Sequence, residues 1–425
     1  MLGGAIRKGL SFPSGERQRL LFTQTGMSTA AGVRVSPSTA MTAAAVYAAT
    51  SLYAETIASL PYRFLERDDA NRVRLYPEEV RPLWERPNPY QTKVAFIETV
   101  VLSMLLWGNA YVYLRRDNGN RVIELWPLDP DRITEIEKVE DDQKRLGLRF
   151  KVSEWEENEG WVENRPGLPP QMLHIPLFTM PGRIKGLSPI EQQAELVGIS
   201  LSAQEHAARF LGDGVHMTGT LESPLALKPD EAKELYDNFS RIHAGPKKAG
   251  RVAVLTGGAT YKPLGIPPSE LQFLEQMKYT DQRIHGGIYR VPPHLVGDVE
   301  RSTSWGTGIE EQGTNWVMYG LLPIGRKIEE SVEDTLLAGT NVQMRFVFNG
   351  LLRGNLNDRK EFYRTLWSIG ALNNDEIRGF EDMGPLPGGI GKTHYVPLNV
   401  VPAGTAPEAL QTRAAALLSL IAEGN

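Results

Sequence analysis

The stretch RVPPHLVGDVERSTSWGTGIEEQ, Arg290–Gln312, lies between two segments that read as helices, yet it is itself unhelical. Pro292 and Pro293 stop whatever precedes them, because proline lacks the amide proton and restricts its neighbour. Gly297, Gly306 and Gly308 then loosen the chain, with Ser302, Thr303 and Ser304 between them. Arg301 and Trp305 stand in the middle. Ordering such a segment costs conformational entropy. The question is whether it binds a nucleotide, catalyses a reaction or touches something else.

Working outward, SELQFLEQMKYTDQRIHGGIYR (Ser269–Arg290) is a long helix leading in. GIEEQGTNWVMYGLLPIGRKIEESVEDTLL (Gly308–Leu337) is a helix leading out, and Gly320 and Pro323 predict a kink in it. Upstream, LSPIEQQAELVGISLSAQEHAARFLGDG (Leu187–Gly214) is another long helix. Ser188 is its N-cap, Pro189 takes the first helical position, and Gly212 or Gly214 ends it. Between the long helices come a strand (VHMTGTLES), a short amphipathic helix (KPDEAKELYDNFSRIHAG) and a strand or hairpin (GRVAVLTGGATYKPLG). Two helical legs thus carry a compact foot of about 50 residues.

Residues 1–38 read as a loosely held arm, and 39–180 as an α+β domain with helices first and antiparallel strands after. An alanine-rich helix opens that domain, with Val46, Leu52 and Ile57 marking its apolar face and Pro61 ending it. The turn RPNPY precedes the apolar helix VAFIETVVLSMLLW, which Gly108-Asn109 stops. AYVYLRR and RVIELWPL then form a hairpin about DNGN. After the kinked helix, NVQMRFVFNGLLR is a strand. A helix-turn-helix follows, with its turn at Asn373-Asn374, then irregular chain and a terminal helix or tail.

The totals narrow the function. At 425 residues the chain has room for roughly two to four domains. It is 41% hydrophobic and 23% charged, which excludes wholesale disorder. Zero cysteines exclude disulfides and thiolate metal sites and fit a reducing compartment. The net charge of −5 argues against a protein that grips DNA by sequence, though not against one that lets DNA slide past. Val94–Trp107 is too short for a membrane span and contains Glu98. The N-terminus has no continuous apolar stretch of the secretory kind.

No chemical motif survives inspection. Gly306–Gly308 matches neither phosphate-loop pattern. His294, Asp298 and Ser302 have the residue types of a hydrolase triad, but no nucleophile elbow occurs, and triads are set by three-dimensional geometry. The histidines at 174, 206, 216, 243, 285, 294 and 394 show no metal-ligand spacing. Glu310-Glu311 and Glu329-Glu330 read as solvated helix faces. No catalytic, cofactor or metal site is expected. GPKKAGR, with Lys247, Lys248 and Arg251, is the densest basic patch. Its commoner reading is an exposed solubility loop, and the alternative is a contact with phosphates or an acidic partner. Three functions stay open on the residues alone: a structural conduit, an enzyme built on Gly306–Gly308, and a monomeric binder using the basic loop.

The order of elements is more specific than any motif. GLSPIE opening a leg helix, the foot, FLE…IYRVPPHLVGD and a kinked helix containing LLP resemble the portal proteins of tailed double-stranded DNA bacteriophages, in their shorter-chain branch, over Thr42 to Gly384. The resemblance implies an α+β portal fold: wing 39–186, stem helices 187–214 and 269–290, clip 215–268, tunnel loop 291–307, kinked helix and wing strand 308–355, crown 356–384 and tail 385–425. It implies a dodecameric ring at one capsid vertex, in a virion assembled in the host cytoplasm. Its partners would be the major capsid protein and scaffold, the terminase large subunit, head–tail connector proteins and passing double-stranded DNA. Neither a membrane nor a cofactor is implied. On this reading Arg301, Ser302, Thr303, Ser304 and Trp305 face DNA, and Lys247, Lys248 and Arg251 meet terminase or connector.

Overall fold

Alanine builds the first long helix, Ala44–Ser59 (α1). Its buried stripe is Val46, Ala49, Thr50, Tyr53 and Ile57, spaced at three to four residues. Leu52, expected on that face, is only half-buried. Six positions from Val46 turn the helix well past one face. Leu60 then leaves helical geometry, with ψ at 137°, one residue before Pro61. Helix α2, Lys93–Trp107, is apolar nearly all round and therefore lies in the interior against α1. The Thr92 hydroxyl caps its start by accepting from the Ala95 amide. Gly108 ends it in the left-handed conformation, φ 72°, and a Cβ there would run into the Leu187 carbonyl.

The computed structural model describes residues 26–67, 81–212, 268–298, 307–348, 356–381 and 383–395. It also describes short strands at 18–19, 72–74, 219–222 and 260–263, and scattered positions at 228–237 and at 351. The chain divides into two units, Met1–Phe348 and Asn349–Asn425. Helices and antiparallel sheets occur together, as the α+β reading requires. Among the described residues no helix is long and apolar enough to cross a membrane.

In the first unit, Asn109–Arg116 pairs with Val122–Leu128 on one side and Met172–Pro176 on the other. The Asp117 carboxylate shapes the connecting turn by accepting from the Gly119 and Arg121 amides, and Asn120 takes φ 68°. A second sheet runs Gln18–Arg19, Ile133–Glu140, Leu146–Val152, Trp161–Asn164. Tyr111, Ile133, Ile136, Phe150, Val152, Val162 and Met172 form one buried cluster. A third sheet joins distant parts of the chain: Val342–Phe346 lies antiparallel to Tyr62–Glu66, which also pairs with Arg72–Arg74.

Helix α3, Ala194–Gly212, follows a single turn, Pro189–Gln192, from which Gln193 separates it. Ser188 caps that turn, and its hydroxyl donates to the Leu106 carbonyl at 2.6 Å. The described part of the expected loose arm is not loose. Met27–Ser28 pairs with Arg34–Val35, and the Ala30 amide donates to the Glu195 carboxylate. Gly198 leaves the space on α3 into which Thr29 packs. Helix α4, Pro268–Gln282, returns along α3, with Ser200 donating to Asp281 at 3.1 Å. Between them, Gly219–Glu222 pairs with Thr260–Pro263, so the excursion leaves and returns at one ladder.

Helices α5 (Thr307–Trp316) and α6 (Leu322–Thr335) are joined by a π-helical turn, Val317–Leu321. The π turn lies where the kink was expected, and such turns are among the recognised causes of helix kinks. Glu329 on α6, expected to be solvated, is 1% exposed. Its carboxylate accepts from the Phe346 amide at 2.6 Å and from Arg326 Nη1 at 2.7 Å. Burial nevertheless pushes its carboxyl above the usual range, against the opposing pull of these donors.

The second unit contains α7 (Leu356–Ser368) and α8 (Asn374–Phe380). Asn373 and Glu376 form a capping box, each side chain accepting from the other's amide at 2.9 Å. Arg359 and Tyr363 of α7 both donate to Glu381 just beyond α8.

Candidate functional site

The site expected from sequence is the junction between α4 and α5. Helix α4 does not simply stop at the prolines. It widens into a π-helical turn, Arg283–Ile288, and Tyr289 ends it. The Val291 amide then donates to the His285 carbonyl at 2.8 Å, and Arg290 adopts φ 57°, a left-handed conformation uncommon outside glycine. Pro293–Val296 make one tight turn, closed by Gly297 at φ 83°. Gln282 donates to the Asp298 carboxylate at 2.8 Å, which folds this turn back on α4. His294 Nδ1 lies 3.2 Å from Gln312 Oε1, which ties the turn to α5.

These bonds hold His294 and Asp298 to different helices. One side chain meets an amide of α5 and the other an amide of α4. A base oriented by a carboxylate is the required triad geometry, and the pair does not form it. Thr307 opens α5, so Gly308 falls in its first turn. The last described element before it is the Pro293–Val296 turn, where a phosphate loop needs a strand. Among the described residues no group of three or more His, Asp or Glu is placed to hold a metal. Arg301, Ser302, Thr303, Ser304 and Trp305 lie outside the described residues, as do Gly306, Lys247, Lys248 and Arg251.

What the structure adds is a residue the sequence did not single out. Tyr53 of α1 is buried, and its hydroxyl donates to the Tyr289 carbonyl at 2.7 Å. Its ring meets Trp316 edge-on at 5.3 Å. Gly320 provides the space, since a Cβ there would collide with the Tyr53 hydroxyl. Burial pushes the Tyr53 hydroxyl up to about 12, so it stays a donor at neutral pH. One signal could have found it: Tyr53 lies seven residues after Val46 and four before Ile57, on the same stripe.

A second polar cluster is structural. His174 is stacked on Tyr111 at 4.7 Å and donates from Nε2 to Asn109 Oδ1 at 3.0 Å. Burial, reinforced by the nearby Lys185 charge, pushes its imidazole down to about 3. Such a ring is neutral in ordinary buffers and too weak a base for proton transfer at neutral pH. Asn109 also accepts from the Gly186 amide at 2.7 Å, so this network locks the end of α2 to the approach of α3.

Comparison with known proteins completes the picture. The family model described as phage portal protein matches residues 44–382. The chain belongs to the phage portal protein family. It is 35% identical over 402 residues to the probable portal protein of Streptomyces phage phiC31, covering 90% of this chain and 84% of that one. It is 28% identical over 363 residues to the portal protein of Enterobacteria phage HK97, covering 83% and 82%. Among solved structures, a chain from the neck of a native gene transfer agent particle computed with C12 symmetry matches with a TM-score of 0.58 at 20% identity. That match covers 89% of this chain and 99% of the other, and it bears on the fold. The resemblance read from the order of elements over Thr42 to Gly384 is thereby borne out, and the chain is a portal protein.

Proposed function

We propose that copies of this chain close into a ring, dodecameric in the particle, at one vertex of the capsid. The ring is the channel through which a separate ATP-driven terminase packages double-stranded DNA and through which the DNA later leaves. The family match across residues 44–382 carries this reading. Net charge supports it: every phosphate–cation contact strengthens binding through counterion release, and a chain at −5 limits such contacts on moving DNA. The chain itself is a conduit and not an enzyme. Both polar side chains at the junction are engaged by glutamines of the flanking helices, which favours a built joint over a reaction centre.

On this reading Arg301–Trp305 line the channel and meet DNA without regard to sequence. Lys247, Lys248 and Arg251 meet the terminase and then a head–tail connector. The major capsid protein and scaffold surround the ring during assembly in the host cytoplasm. Deleting Ser302–Thr307 is expected to leave ring assembly intact and to impair packaging. Unchanged packaging and genome retention in that deletion contradict the channel-lining role. Nucleotide hydrolysis by the isolated chain, abolished by Gly308→Pro, contradicts the conduit.

A further inference from the structure

We infer that Tyr53 is a positioning residue that fastens Tyr289, which closes the helix before segment 299–306, and the C-terminal end of α5 after it to helix α1, so that the two are displaced together with α1. The functional meaning of that joint rests on the channel reading; its physical existence does not.

Three observations converge on one buried side chain, and a fourth joins the same two turns. The Tyr53 hydroxyl is bonded to the carbonyl of Tyr289, the residue that ends the first π turn. Its ring meets Trp316, the last residue of α5 and the one that precedes the second π turn. The second turn contains Gly320, whose missing side chain admits the same hydroxyl. Arg290, held at φ 57°, reaches across with Nη1 to the Tyr319 carbonyl at 3.4 Å and joins the two turns directly. One side chain thus contacts two points of the chain, Tyr289 and Trp316, that lie on either side of residues 290–315.

The π turns explain why the joint is placed here. A π turn adds one residue to a helical turn, has poorer packing, and occurs mostly as a single turn at functional positions. Two of them lie on either side of residues 289–316 and meet at one tyrosine. Regular α-helix on either side would transmit a displacement along its axis, whereas a wide turn yields locally. Tyr53 opposes that yielding on both sides at once. Among the described residues the buried Tyr289 hydroxyl has no hydrogen-bond partner, so part of this region is held at an energetic cost. Irregular backbone kept at such a cost is a feature of positions that function requires.

The test uses the full chain, with hydrogen exchange read over residues 284–291 and 312–321. Tyr53→Phe removes the bond to Tyr289 and keeps the ring against Trp316. It is expected to raise exchange at the first flank by about tenfold, the equivalent of one buried hydrogen bond. Tyr53→Leu removes both contacts and is expected to raise exchange at both flanks. The sheet 133–164 should exchange as in the parent. Gly320→Ala drives a methyl against the Tyr53 hydroxyl, so combining it with Tyr53→Phe should recover part of its loss of stability. Exchange that rises uniformly through the first unit, at neither flank, or at only one flank in Tyr53→Leu overturns the inference. If Tyr53→Leu does not fold, the Phe variant and the Gly320 combination decide alone. Ring closure of each variant, scored separately, shows whether a packaging defect comes from the joint or from failed assembly. Variants that form rings and show loosened flanks yet package normally leave the joint standing and remove its role in the channel.

Discussion

Glu329→Ala tests how α6 is fixed to the sheet that holds Tyr62–Arg67. The carboxylate is 1% exposed and bonded to the Phe346 amide, with Arg326 on its other oxygen and Arg345 Nη1 at 3.8 Å. Removing it leaves the Phe346 amide without an acceptor in a buried place. Loss of a charge-assisted bond costs about 1.5–3 kcal/mol, and the orphaned donor and small void bring the total to about 3–4 kcal/mol. Arg326 is half exposed, so its released charge returns to water and adds little. Glu329→Gln keeps an oxygen for Phe346 and should cost about 1 kcal/mol. Glutamine also removes a titration. The folded carboxyl holds its proton more tightly than the unfolded one, because burial raises it. Stability from this group is therefore full at acid pH and declines as pH rises from the ordinary carboxylate range through the raised one. Glu329→Gln loses that decline. Urea unfolding at fixed chain concentration, repeated across that range, measures both effects. Equal losses in the Ala and Gln variants, or an Ala variant within about 1 kcal/mol of the parent, would show that Glu329 does not fix α6 to this sheet.

Gly108→Ala should destabilise by more than about 2 kcal/mol, since alanine would meet both a left-handed backbone and the Leu187 carbonyl; thermal unfolding measures it. Neutral His174 stabilises the fold above the ordinary histidine value, and this is lost at about 1.4 kcal/mol per unit as pH falls from there toward about 3. His174→Phe should therefore flatten the stability profile between those limits, and an unchanged slope speaks against it. Asn373→Ala removes half of the capping box and should cost the second unit about 1 kcal/mol, seen as faster exchange at the start of α8.

The legible parts of the fold were the local ones. Pro61 and Gly108 act through their own backbone, Ser188 and Asn373 through side chains that reach amides three residues on, and all sit where sequence placed a helix boundary or turn. DNGN turns its hairpin for the same reason. Glu329 was misread because its burial is decided by Phe346, on a strand outside its own helix. Tyr53 was missed because its partners lie at Tyr289, Trp316 and Gly320, and no local period encodes contacts that distant. Gly320 and Pro323 located the irregularity in the helix, but a kink and a π turn use the same residues. The packed hairpin at 26–35 was hidden for a related reason: polar and glycine-rich chain looks loose until the Gly198 recess on α3 is known. The family was legible only in the order of elements about Arg290–Gln312, not in any single side chain there.

If copies of this portal chain work as a closed ring, the assembly state of the purified full-length chain shows it, from electron-microscopic class averages and mass in solution. Closed rings with a through-going central hole, at a fixed subunit count, are expected. A chain that stays strictly monomeric at high concentration contradicts the ring.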